Sequence, residues 1–142
     1  MKKALSFCLL FSLLLATLTA CSAKWTDEDL SQAHTVEITE YGEGYETKTT
    51  YTITDERTVN NLRHTFSLLE LEKTRVQGHT EKSFYIRFLG ANGEIDHITI
   101  LAGRNVVQDR HGELYRITDD MDINRHLREV LETAPADVTQ TP

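Results

Sequence analysis

Apolar and polar positions alternate from His34 to Glu40, with Val36 and Ile38 on one side. They alternate again from Tyr45 to Ile53, with Tyr45, Tyr51 and Ile53 on one side and Glu46, Lys48, Thr50 and Thr52 on the other. A period of two is the mark of a half-buried strand, and Tyr41-Gly42-Glu43-Gly44 between the runs reads as a turn. A threonine-rich hairpin with one apolar side is expected. The period then changes. Val59, Leu62, Phe66 and Leu69 fall at helical spacing, behind Thr54 or Asp55 as cap and Glu56 in the first turn. Leu69 and Leu71 open an extended stretch through Val76, and residues 77–80 read as a loop.

From Lys82 to Ile117 three turns fix a register. Ala91-Asn92-Gly93 suits a three-residue hairpin loop with Gly93 left-handed, which sets Phe84 opposite Ile100, Ile86 opposite Ile98 and Phe88 opposite Asp96. A two-residue Asn92-Gly93 turn would put Thr99 opposite Ile86, and such a slip exchanges the faces. Gly103-Arg104 suits a two-residue turn that places Ile100 opposite Val107. Arg110-His111-Gly112 suits three residues with Gly last, which places Val107 opposite Tyr115. One apolar face results: Phe84, Ile86, Phe88, Ile98, Ile100, Val107, Tyr115 and Ile117. A second amphipathic helix follows, capped by Thr118 or Asp119 with Asp120 and Asp122 in its first turn. Its stripe is Ile123, Leu127, Val130 and Leu131, and Pro135 ends it. The fold class expected is α+β: an antiparallel sheet, made of the hairpin and a four-stranded meander, packed on two helices as a two-layer sandwich.

The start of the chain has a different pattern. Lys2 and Lys3 precede an apolar run from Ala4 to Ala20, the layout of a secretory signal. As an uncleaved anchor the run would be at the short end of the roughly 17–25 residues needed to span a bilayer. It ends in Leu18-Thr19-Ala20-Cys21, which closely resembles the lipobox of bacterial lipoproteins. The resemblance implies cleavage before Cys21, diacylation of its thiol and a chain tethered to the bilayer. The expected organisation is a signal over 1–20, a tether over 21–33, one domain over 34–134 and a flexible tail over 135–142. Within the tether Trp25 suits either the lipid interface or the domain surface. Ser22 favours the outer membrane if the envelope is Gram-negative.

Cleavage leaves 122 residues with thirteen basic and twenty-two acidic side chains, a formal charge of −9. Nucleic acid is not an expected partner, because phosphate binding needs a positive surface. Cys8 leaves with the signal and Cys21 takes lipid, so the domain has no thiol for a disulfide, a nucleophile or a metal. No cofactor or metal site is expected. His34, His64, His79, His97, His111 and His126 lie in separate segments, none at the spacing of a helical zinc pair. No Gly-x-Ser-x-Gly elbow or phosphate loop is present, so no catalytic residue is nominated.

The same register defines the other face of the meander: Tyr85, Arg87, His97, Thr99, Gln108 and Arg116, with Leu89, Ile95, Leu101, Val106 and Leu114 among them. It is read either as the wet side of an antiparallel sheet or as a face for an envelope protein or an anionic ligand. Asp55-Glu56-Arg57-Thr58-Val59-Asn60-Asn61-Leu62, Tyr85-Ile86-Arg87-Phe88 with Ala91-Asn92-Gly93, and Leu114-Tyr115-Arg116-Ile117 resemble segments of small uncharacterised lipoproteins of low-GC Gram-positive bacteria. That resemblance covers most of residues 55–131 and brings no catalytic residue. The leading expectation is a non-enzymatic binding module on the extracytoplasmic face of the cell membrane. The alternatives are an inhibitor or immunity lipoprotein against a secreted hydrolase or toxin, and a hydrolase assembled from scattered residues.

Overall fold

A computed structural model describes residues 24–75 and 81–141, and among them are eight strands, two α-helices and one 3-10 turn. The signal, the lipobox with Cys21 and the 77–80 loop lie outside the described residues. The strands are β1 (Thr35–Tyr41), β2 (Lys48–Ile53), β3 (Leu71–Lys73), β4 (Lys82–Gly90), β5 (Gly93–Leu101), β6 (Val106–Gln108), β7 (Leu114–Ile117) and β8 (Asp137–Thr141). The helices are α1 (Glu56–Leu68), between β2 and β3, and α2 (Ile123–Thr133), between β7 and β8. All strands join one antiparallel sheet in the order β3-β7-β6-β5-β4-β1-β2-β8. Each helix therefore carries the chain from one edge region of the sheet to the other, and both pack on the same face.

The strand pairs of the meander are those expected, but the first turn is not the expected three-residue loop: Gly90 pairs with Gly93 across Ala91-Asn92. Phe84 pairs with Ile100, Ile86 with Ile98, Phe88 with Asp96, Ile100 with Val107, and Val107 with Tyr115. Gly93, Gly103 and Gly112 all have positive φ (111°, 62° and 82°), where other residues are strained. Two irregularities add to this pattern. Near the first hairpin tip the pairing shifts so that Leu89 meets Glu94, which leaves Ile95 as an extra residue. At the other end of β4 a shift around Ser83 turns that side chain to the helix face. Its Oγ donates to Asn124 Oδ1 at 2.5 Å there.

Side chains from both layers close one core. Val36, Ile38, Ile53, Phe84, Ile86, Phe88, Ile98, Ile100 and Val107 from the sheet meet Val59, Leu62 and Phe66 of α1 and Ile123 and Leu127 of α2. Asp55 caps α1, accepting from Thr58 N–H at 2.9 Å. The second cap is Asp122, accepting from Arg125 N–H, and not Thr118 or Asp119. Asp119 instead accepts from Met121 N–H at 2.9 Å, shaping the approach to the helix.

Four further expectations are corrected. Residues 24–33 are not a tether. Trp25 is 2 % exposed and meets Phe66 edge-on, Leu30 is fully buried, and Ala33 joins the same core. Burying an indole and a leucine outweighs the freedom the segment would have in water. Residues 137–141 are not a tail but β8, paired along the length of β2 from Lys48–Thr141 to Thr52–Asp137. Tyr45 is not on the apolar side of a strand. It sits in a single 3-10 turn at φ 61°, where its hydroxyl accepts from Lys82 N–H at 2.6 Å. Of the stretch expected to be extended through Val76, Leu71–Lys73 is strand, Thr74 and Arg75 are not, and Val76 lies outside the described residues.

Candidate functional site

The helices cover one face of the sheet and leave the other open. Adjacent strands bring Tyr85, Arg87, His97, Thr99, Gln108 and Arg116 onto that open face, as their alternation with the buried residues demands. Two cross-strand rows organise it. One runs Thr139, Thr50, Thr39, Tyr85, Thr99, Gln108, Leu114 across seven strands. Its Thr39 and Thr50 hydroxyls are 3.0 Å apart. The second runs Asp137, Thr52, Glu37, Arg87, His97.

The second row holds the charge. Arg87 Nη1 donates to Glu37 at 2.7 Å, and its Nε donates to Glu94 at 2.7 Å. The other Glu94 oxygen is 2.7 Å from His97 Nδ1. The Arg87 hydrogen bond, then that of His97, hold the Glu94 carboxyl below its usual range. An ionised Glu94 can only accept, so Nδ1 of His97 is the donor. The His97 ring lies 5.3 Å from that of Tyr85, whose phenol is pushed up chiefly by burial. Arg116 pairs across from Val106 on one side and Glu72 on the other, and is exposed. Thr99 is 5 % exposed and Leu101 and Val106 are 4 % exposed, so part of this face is itself buried.

Sequence reasoning found the residues of β4 to β7 on this face but missed Glu37 and Glu94. Glu37 arrives through the pairing of β1 with β4, which no hairpin turn announces. Glu94 arrives through the Ile95 bulge. Together they change the face. Arg87 is held between two carboxylates, so the face read as a site for an anionic ligand has no surplus positive charge at Arg87.

Elsewhere an open cleft of about 620 Å³ lies between the β5–β6 turn and the start of α2, lined by Ser83, Asn105, Asp119, Asp122, Asn124 and Arg128. Its polar groups largely bond one another, with Asn105 donating to Met121 O at 2.6 Å and accepting from Ile123 N–H at 3.4 Å. Among the described residues no three histidine, cysteine or carboxylate side chains gather to hold a metal. No helix among them is long and apolar enough to cross a membrane.

No protein-family model, curated protein or solved structure matches the chain.

Proposed function

We propose that the chain is a lipid-anchored, non-enzymatic binding module of the cell envelope, and that its open sheet face docks another envelope protein. The observation that carries this is the internal pairing of that face. Glu37, Arg87, Glu94 and His97 satisfy one another across three strands, and the neighbouring row is threonine, tyrosine and glutamine. Paired charges lose little when water leaves, and side chains locked by neighbours give up little freedom on docking. Two carboxylates face the single Arg87 guanidinium in this cluster, so an anionic ligand gains nothing there. A protein surface is the partner this arrangement favours. Its contact would centre on Tyr85, the type of residue enriched at interface hot spots. The address rests on the basic start, the apolar run and the Leu18–Cys21 motif.

Site-specific photocrosslinking in intact cells tests the reading. A crosslinker at Thr39 or Gln108 should give one discrete adduct, and Tyr85→Lys should abolish it while the protein stays folded. A crosslinker on the exposed side of α2, at Glu129, should give none. Adducts equally abundant from both faces, or an adduct indifferent to Tyr85→Lys, would sink the assignment of this face. Charge reversal at Arg87 is a poor probe, because it would place a third carboxylate beside Glu37 and Glu94.

A further inference from the structure

The segment expected to hold the domain away from the membrane is part of the fold from Lys24 onward. Lys24 Nζ is 3.1 Å from the Asp109 carboxylate, whose side chain is fully buried, and 5.4 Å from the centre of the Tyr115 ring. Trp25 is seated on Phe66. Asp27 pairs with Arg63 of α1 at 3.3 Å. Thr26 and Asp29 cap one another, with Thr26 N–H donating to the Asp29 carboxylate and Asp29 N–H to the Thr26 hydroxyl. At Gly90 the backbone of Gln32 passes so near that an added Cβ would lie 3.0 Å from its carbonyl oxygen. His34 N–H then donates to Leu89 O, continuing into β1.

Only Ser22 and Ala23 separate Cys21 from this docked segment. Three residue steps of extended chain reach at most ~11 Å. We infer that the domain sits flush on the bilayer, with the sheet end that carries Lys24 and the Asp109–Gly112 turn against the phospholipid headgroups. The inference rests on the lipid anchor of the proposed function. It adds an orientation and a contact surface which that reading leaves open. Arg110 and His111, both exposed at the tip of this turn, are the side chains that meet the headgroup layer. The turn is held in shape by Asp109, whose Oδ1 accepts from His111 N–H and Glu113 N–H at 2.9 Å each. The loop of Glu43–Tyr45 is at the opposite end of the sheet. It lies more than ~20 Å from the turn, at ~3.3 Å per residue along a strand and ~4.8 Å per strand across.

The test uses the full-length acylated protein in vesicles of phosphatidylglycerol and phosphatidylethanolamine that include a headgroup-quencher lipid. One fluorophore is attached through His111→Cys and, in a separate protein, through Glu43→Cys. The expected result is loss of most of the fluorescence at position 111 and almost none at 43. Ten Gly/Ser residues inserted between Ala23 and Lys24 should restore the signal at 111. Equal quenching at both positions, or quenching at 111 that survives the insertion, overturns flush docking. Intact mass separates the two layers of the argument. An unacylated Cys21 overturns the anchor and the docking with it, whereas an acylated chain with equal quenching overturns the docking alone.

Discussion

The Glu113 carboxyl is strongly lowered, and its surroundings explain why. Lys73 donates to one of its oxygens and the Tyr115 hydroxyl to the other, and the Lys73 ammonium adds its charge. Together they hold the group at about 2, from an ordinary 4.5. Lys73→Ala should return the Glu113 titration, followed by carboxyl NMR, most of the way to the ordinary range. Tyr115→Phe should move it less. A Glu113 that still titrates near 2 without Lys73 would assign the shift to another cause. Neither partner was legible in the sequence as a unit, because Lys73 reaches Glu113 through the β3–β7 pairing, forty residues apart. The contrast with the glycines is physical. Gly93, Gly103 and Gly112 act on their nearest neighbours, and a turn's φ requirement can be read locally. An ion pair between distant strands depends on sheet order, which local chemistry leaves undetermined.

At the scale of elements, what could be read was whatever buried one face and wetted the other. The α1 stripe and the meander face both did so, and both stand as expected. The 24–33 segment gave no such period. Trp25, Leu30 and Ala33 match neither a helix nor a strand, and Asp27, Glu28 and Asp29 between them look like solvated linker. Trp25→Ala should cost about 3–5 kcal/mol in urea unfolding, as removal of a large buried aromatic does. A loss below about 1 kcal/mol would mean that the segment does not stay docked in solution. The last strand, β8, was illegible for the opposite reason. All five of its residues are exposed, so it carries no apolar alternation at all. Its partner β2 is threonine-rich and would become a longer edge, charged at Lys48 alone, if β8 were removed. Truncation after Pro135 should therefore leave the core folded but promote concentration-dependent self-association, seen by light scattering, because an unpaired flat edge templates further pairing. A truncated chain that stays monomeric at high concentration would show that β8 does not guard that edge.

Over the whole molecule, most of the depressed carboxyls sit at the joints between elements. Asp29 is held down by Thr26 in the N-terminal segment and Asp55 by Thr58 at the start of α1. Glu94 is on the open face, and Asp109 and Glu113 flank the β6–β7 turn. For Asp109 burial opposes ionisation, but the Glu113 and His111 N–H groups and the Lys24 ammonium outweigh it. A carboxyl lowered by folding stabilises above its unfolded value, and that stability is lost as pH falls through the folded one. For Glu113 the window runs from 4.5 to about 2, and the others lose their share below the usual carboxylate range. Lys24 shows the mirror image. Its hydrogen bond to Asp109 raises it, so its contribution is complete below 10.5 and fades as pH climbs through the higher folded value. The Lys24–Asp109 bond is thus open to attack from both sides, and it fastens a segment that no strand pairing holds until His34. Hydrogen exchange read residue by residue should show Leu30, Ser31 and Ala33 as protected as the sheet near neutral pH. As pH falls below the usual carboxylate range they should open while Ile86 and Ile98 stay closed. Lys24→Met should bring that early opening to neutral pH and leave the sheet unchanged. If 24–33 and the sheet exchange together at every pH in both proteins, the segment is an inseparable part of the core. If it exchanges freely even at pH 7, it is the flexible tether that its composition suggests.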